Sequence, residues 1–328
     1  MLHPSSGKPG KNRTAVRSQT SVRLTKAALQ AAYVLSEDLG TNLAERLFTS
    51  PRRHPRPARE RAVLARGWEF SIDVELRAPR RMGQHRRVTA WRWGHGPTVL
   101  LVHGWEGRGA QLGSFIEPLV RAGLSVVTFD APGHGDSPGR RVYLTDLADC
   151  VSGVARAIGP LHAVVAHSIG AAAVLLAHQR GGVDAKRNVM IAPNVLISDS
   201  VARFGHAIAL DDRDCSTLEH QLASHNGVSF ESLTIERLVG ERDQALLVIH
   251  DQTDREVPFR HGERLATAWR QATLHATTGL GHRRILRDPA VVAEAVGFIQ
   301  HGVSPPASEL VREVDRLLAM DGPWIGQG

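Results

Sequence analysis

Three apolar, strand-like runs in this sequence each end in residue types that could do chemistry. Ala163–Ala166 leads into His167-Ser168-Ile169-Gly170-Ala171-Ala172, Ala245–Ile249 into His250-Asp251-Gln252-Thr253-Asp254, and Leu274–Ala276 into Thr277-Thr278-Gly279-Leu280-Gly281-His282. A serine, an acid and a histidine thus follow one another in chain order. A serine hydroxyl is a poor nucleophile unless a base removes its proton as it attacks. Histidine suits that task, because its unperturbed pKa of about 6.5 lies near working pH. A buried carboxylate then holds the imidazole in one tautomer and stabilises the imidazolium. The serine must also stand clear of its strand, which a sharp strand-to-helix turn achieves when its neighbours are small. Ala166, Gly170 and Ala171 are those neighbours. The Ile169 N–H, at the start of the following helix, would point at developing negative charge.

These residues need a scaffold that gathers strand ends. Phe70, Ile72, Val74 and Leu76 alternate with polar residues, as a half-exposed edge strand should. A second strand follows through Val88–Trp93, then continuous apolar runs at Thr98–Val102, Ser125–Phe129, Ala163–Ala166, Val189–Ala192, Ala245–Ile249 and Leu274–Ala276. Helix-length segments lie between most of them: Gln111–Ala122, Tyr143–Ile158, Ser168–Gln179, Phe259–Trp269 and Pro289–Gln300. This alternation predicts an α/β fold, a mostly parallel eight-stranded sheet with helices on both faces and an antiparallel first strand. In such sheets the ligand site lies beyond the carboxyl ends of the strands.

Over roughly residues 67–302 the sequence resembles an α/β-hydrolase. The segment around Ser168 resembles that family's nucleophile elbow, G-x-S-x-G, with Ala166 in place of the first glycine. His103-Gly104-Trp105 resembles its oxyanion loop, and Asp130-Ala131-Pro132-Gly133-His134-Gly135-Asp136-Ser137 its D-x-x-G-H-G-x-S segment. The resemblance implies Ser168 as nucleophile, His282 as base, and the backbone N–H groups of Trp105 and Ile169 as the oxyanion hole. Asp251 and Asp254 compete for the acid. Asp254 is preferred because Asp-Arg-Glu-Val-Pro (254–258) resembles the family's D-x-x-V-P signature, leaving Asp251 as a loop-turn carboxylate. His103 and His134 are expected to brace loops, His250 to be half-buried and neutral, and Asp130 to cap loop N–H groups. The resemblance implies a serine hydrolase that cleaves a small-to-medium acyl ester or thioester through an acyl-enzyme. Acyl transfer, C–C bond hydrolysis, or a non-catalytic binding protein on the same scaffold are the alternatives.

The 50 or so residues from 193 to 242 break the strand–helix rhythm, where such proteins commonly insert a cap. Val195–Ala209 and Phe230–Leu238 are expected as short cap helices, with Val201, Phe204, Ile208, Leu218 and Leu222 presenting apolar faces. The domain plan is a basic extension over 1–66, the hydrolase domain over 67–302, and a helical tail over 303–328. In the extension, the spacing from Val22 to Phe48 predicts one or two helices broken near Gly40, then a Pro-rich linker or surface-wrapping arm from Pro51 to Arg66. In the tail, Leu310, Val311, Val314, Leu317 and Leu318 fall at helical spacing, to pack on the domain or on a second subunit.

The formal charge of +7 belongs to the extension: residues 1–66 hold 13 Lys/Arg against 4 Asp/Glu, and the rest of the chain is nearly neutral. With only 16 aromatic residues there is no base-stacking surface, so no nucleic acid is expected as a partner. The basic extension reads first as a solvated helix packed on the domain, with docking to an acidic partner or a membrane surface, or a homo-oligomer, as alternatives beside the small-molecule acyl substrate. Neither a cofactor nor a metal is expected, because the glycines near residue 104 match no phosphate-binding spacing and no ligand cluster has metal spacing. Cys150 and Cys215 are too few for a disulfide framework. No apolar run reaches the length of a transmembrane helix, and no secretion signal is recognisable, which makes the cytoplasm the expected compartment.

Overall fold

The computed structural model describes residues 13–303 and 307–319. Two helices in contact open the described chain, α1 (Arg13–Leu35) and α2 (Glu37–Thr49), followed by the short α3 (Ala58–Leu64). Strands β1 (Trp68–Glu75), β2 (His85–Trp93) and β3 (Thr98–Val102) come next, then α4 (Ile116–Arg121), β4 (Ser125–Asp130), α5 (Leu144–Ile158) and β5 (Leu161–His167). The chain continues through α6 (Ile169–Gln179), β6 (Ala185–Ile191), α7 (Ile197–Ala207), α8 (Asp212–Asn226), α9 (Ile235–Val239) and β7 (Ala245–Asp251). It ends with α10 (Arg260–Ala268), β8 (Ala272–Thr277), α11 (Gly281–Arg284), α12 (Pro289–His301) and α13 (Ala307–Leu318).

The eight strands form one sheet in the order β1-β2-β4-β3-β5-β6-β7-β8. The two pairings that involve β2 are antiparallel and the remaining pairings are parallel. Burial explains the two strand patterns. In β1 only Ile72 and Val74 are buried and their neighbours are exposed, whereas every residue of the internal β4 is buried. One apolar core lies between the sheet and α5 and α6; α6 is buried almost all round because it packs against α5, α9 and strands β3 and β5. A second core covers the opposite face with α4 and α12.

Three helix expectations are corrected. The break in the extension falls at Ser36, not near Gly40. Gly40 lies inside α2 because the Tyr33 ring packs onto it: a Cβ there would stand 2.3 Å from Tyr33 Cγ. The segment expected as a helix from Gln111 to Ala122 begins as a 3-10 turn (Gly109–Phe115) with a kink at Leu112 before α4. In the insertion, the longest helix is α8, which the expected pair of short helices did not include. Its N-cap Asp211 accepts from the Asp214 N–H, and Gly227 ends it in the left-handed conformation.

The extension is bound into the rest of the molecule. Leu29 and Ala44 share an apolar cluster with Val201, Leu218 and Leu222 of the insertion. Beneath them the buried Glu45 carboxylate accepts from Tyr143 Oη at 2.5 Å, from Gln221 Nε2 at 2.6 Å and from His225 Nδ1. The Pro-rich stretch is a strap across the loops at the strand ends. Arg52 pairs with Glu106 at 2.8 Å, Arg56 with Asp130 at 2.9 Å, and Arg53 donates to the carbonyls of Gly133, Ser137 and Gly139. These cations are engaged internally, so an acidic partner for the extension finds no support in the structure. In the tail, α13 packs on α12 with Leu317 buried, while Val311 and Leu318 stay exposed. The mix of Gly, Pro, Ser, Lys and Arg in the first 20 residues predicts a mobile segment; residues 1–12 lie outside the described ones, and 13–20 instead belong to α1. Among the described residues no helix is long and apolar enough to cross a membrane.

Candidate active site

Ser168 sits between β5 and α6 with φ 55° and ψ −126°, a backbone conformation that costs a non-glycine residue about 1–3 kcal/mol. The surroundings impose it. The Ser168 N–H donates to the Ile191 carbonyl at 3.1 Å, and the Ser168 carbonyl accepts from Ala171 and Asn194, each at 3.0 Å. Two glycines allow the turn to close. A Cβ at Gly104 would stand 2.8 Å from Ser168 Cβ, and one at Gly170 would stand 2.6 Å from the His103 carbonyl oxygen. Ala166, where the family pattern has its first glycine, is fully buried within β5 opposite Val102 and Met190, and the core accommodates its methyl group.

The structure brings Ser168, His282 and Asp254 together. His282 Nε2 lies 3.0 Å from Ser168 Oγ, and His282 Nδ1 lies 2.7 Å from Asp254 Oδ2. A carboxylate can only accept, so the Nδ1–H donates to Asp254 and Nε2 is left to accept the serine hydroxyl. Asp254 Oδ1 accepts from the N–H groups of Glu256 (2.8 Å) and Val257 (3.0 Å). Burial by itself would raise the Asp254 pKa. Hydrogen bonds from His250 and His282 outweigh it and hold the carboxyl well below its usual range. The side chain is therefore an anion aimed at the imidazole.

Asp251 is brought elsewhere. It accepts from Thr253 Oγ1 (2.6 Å), Thr277 Oγ1 (2.9 Å) and the Leu280 N–H (2.9 Å), tying the loop after β7 to the loop that carries His282. Burial opposes ionisation here too, but these donors lower its pKa to about 2. His103 braces loops as expected: Nδ1–H donates to the Gly104 carbonyl at 2.7 Å and Nε2 accepts the Ala131 N–H at 2.9 Å. Burial lowers its pKa to about 4, which keeps the acceptor nitrogen bare. His134 bonds the Pro132 carbonyl and, mainly through burial, is lowered to about 3. Asp130 accepts from the N–H groups of Gly109 and Asp136, both at 2.8 Å, and Gly135 presses so closely on it that a Cβ would be 1.9 Å from Oδ2. His250 is fully buried, not half-buried, with Nε2 3.1 Å from the Val257 carbonyl and 3.5 Å from Asp254 Oδ2.

The backbone donors also border the serine. Trp105 follows Gly104, whose Cα packs on Ser168, and the Ile169 N–H is the first of α6, with no acceptor inside its own helix. Sequence reasoning missed His167, whose Nε2 lies 3.0 Å from the His282 carbonyl. Its only signal was a polar ring at the end of an apolar strand.

Trp105, His167, Ser168, Ile169 and His282 line a cleft of about 1530 Å³. Its wall is shared between the insertion and the extension, with Phe48 of α2 and Phe204 of α7 in edge-to-face contact, ring centroids 5.0 Å apart. Among the described residues no group of three or more His, Cys, Asp or Glu could hold a metal ion, and both cysteines are free and buried.

Residues 95–211, about a third of the chain, match the family model for serine aminopeptidases, S33; the match includes Ser168 and ends before Asp254 and His282. No curated protein sequence is significantly similar to this chain. Among solved structures, Est1E from Butyrivibrio proteoclasticus with ferulic acid bound superposes with a TM-score of 0.54 at 16% identity, covering 66% of this chain and 94% of that one. The mouse alpha/beta hydrolase domain-containing protein 10 gives 0.53 at 15% identity, over 65% and 92%. A monoacylglycerol lipase from Paleococcus ferrophilus gives 0.50 at 20% identity, over 69% and 99%. The chain has the α/β-hydrolase fold.

Proposed function

We propose that the protein is a serine hydrolase that cleaves small-to-medium acyl esters or thioesters through an acyl-enzyme. The observation that carries this reading is the continuous chain of hydrogen bonds from Ser168 Oγ through the His282 imidazole to the Asp254 carboxylate, 3.0 and 2.7 Å long. Ser168 attacks the acyl carbonyl while His282 Nε2 takes its proton, and Asp254 stabilises the imidazolium. The N–H groups of Trp105 and Ile169 donate to the oxyanion. On collapse His282 returns the proton to the leaving alcohol or thiol, and a water activated by the same imidazole releases the acid. Residues 67–302 supply this machinery. The insertion at 193–242 and the helical part of the 1–66 extension together roof it, with Phe48, Phe204 and Phe230 as apolar wall for the acyl chain. A monoacylglycerol lipase among the proteins of this fold agrees with the reading.

The test is intact-mass labelling with a fluorophosphonate probe, beside a folded Ser168→Ala variant. One adduct per chain on wild type and none on the variant is the expected result. Equal labelling of both, or none on wild type, overturns the proposal.

A further inference from the structure

The cleft wall carries an unbalanced charge that the hydrolytic machinery does not use. Arg59 of α3 and Arg287, just before α12, both line the cleft and are partly buried. Burial and then the Arg59 charge lower the Arg287 pKa, with the Glu60 carboxylate working against them. Among the described residues neither guanidinium has a hydrogen-bond or ion-pair partner. The carboxylates in the same wall are already engaged. Glu60 gives both oxygens to Arg108, Asp288 Oδ1 accepts from Ala290 and Val291 at the start of α12, and Glu256 pairs with Arg283 at 3.0 Å. Like charges in one half-desolvated wall repel one another, and an anionic ligand between them would relieve that repulsion.

The charged pair belongs to a different part of the wall from the apolar one. Phe48, Tyr143, Phe204, Leu222 and Phe230 share the cluster formed by extension and insertion. Val63, one helical turn after Arg59 in α3, and Leu286, next to Arg287, belong instead to the core on the α4 and α12 face of the sheet. Ser168 and His282 line the same cleft as both groups. An acyl chain against the aromatic wall therefore leaves the alcohol or thiol portion to meet the arginines.

Building on the ester or thioester reading of this cleft, we propose that Arg59 and Arg287 form a binding site for an anionic group, carboxylate or phosphate, on the leaving-group portion of the substrate. Guanidinium is the side chain whose planar donor pairs match either group.

The test uses three esters of one acyl chain, the butyryl esters of glycerol, glycerate and glycerol 3-phosphate, with the full-length protein. The expected result is a higher kcat/KM for at least one anionic ester than for the glycerol ester. Arg59→Gln and Arg287→Gln should each lower that ratio by about tenfold, the scale of a charge-assisted hydrogen bond. Arg121→Gln, outside the cleft, controls for net charge and should not change the ratio. The anionic ester that shows the preference distinguishes phosphate from carboxylate. A ratio unchanged in both cleft variants overturns the proposal. If wild type hydrolyses none of the three, the ester reading has failed on its own. The anion site is then decided by calorimetric titration of glycerol 3-phosphate and of glycerate into Ser168→Ala protein, with and without Arg287→Gln. Heat that Arg287→Gln abolishes upholds the site, and no heat from either compound overturns it.

Discussion

His167 Nε2 donates to the backbone carbonyl of His282 at 3.0 Å, so the residue just before Ser168 holds the loop that carries His282. The two rings lie 4.6 Å apart, and burial, reinforced by the His282 ring, lowers the His167 pKa to about 3. A neutral imidazole is what this position requires. A second cation beside His282 would oppose formation of the imidazolium on which the proposed chemistry depends.

The strained turn at Ser168 gives a prediction that separates strain from chemistry. Ser168→Ala and Ser168→Gly should both abolish turnover, since each lacks the hydroxyl. Ser168→Gly should be the more stable of the two by about 1 kcal/mol, because glycine adopts the positive φ without penalty. Urea denaturation of the two variants at neutral pH checks this, and a Gly variant no more stable than the Ala one contradicts it.

Asp254→Asn should reduce kcat on an activated ester by roughly a thousandfold or more, because an amide no longer enforces the Nδ1–H tautomer or stabilises the imidazolium. The loss should be smaller than for Ser168→Ala, since the serine and the backbone donors survive. Steady-state rates of the three proteins on one ester decide the order.

Asp251 predicts a pH dependence of stability. Its folded pKa, about 2, lies below the ordinary carboxylate value, so the stabilisation it provides is complete above about pH 4 and is lost as pH falls through its folded pKa. Asp251→Asn should therefore destabilise the protein at pH 7 by about 2 kcal/mol or less, and the difference from wild type should shrink between about pH 4 and pH 2. Denaturant midpoints of both proteins across that range are the measurement.

Glu45 joins the extension to the insertion beneath the cleft roof. Glu45→Ala should leave the Tyr143 hydroxyl, Gln221 and His225 without their shared acceptor, at a cost of about 3 kcal/mol. The effect should concentrate in α2 and α8 as faster amide hydrogen exchange, with the sheet unchanged. Uniform loosening of the whole molecule would contradict a roof held by this carboxylate.

At Gly40 two physical effects predict opposite signs. Helix propensity alone says that Gly40→Ala stabilises α2 by about 1 kcal/mol. The Tyr33 ring, 2.3 Å from where the new methyl group would stand, says that it destabilises by about 1–3 kcal/mol. The structure predicts destabilisation, and thermal melting of the variant gives the sign.

The strands, their order along the chain and the meeting of Ser168, Asp254 and His282 were legible in the sequence because they rest on local patterns. A continuous apolar run marks a strand buried on both faces, and in a parallel sheet the residues after successive runs collect at one edge. Asp254 is preferred over Asp251 because residues 254–258 resemble the D-x-x-V-P signature of α/β-hydrolases, and the two carboxylates do separate in that way. The α8 helix was less legible because its surface is mostly polar, with Cys215, Leu218, Leu222 and Asn226 its only buried residues.

What only the tertiary structure decided is what touches what across long stretches of chain. Glu45 and His225 are 180 residues apart, and Arg52 and Glu106 are 54 apart. No periodicity or composition encodes such partners. A guanidinium reads the same in sequence whether it meets a carboxylate, a carbonyl, solvent or a like charge. So the basic extension, which by charge alone suggested an outside partner, turns inward as strap and roof, while Arg59 and Arg287 are left facing the cleft. Residue type and spacing determined which groups could react; folding determined which charges were neutralised.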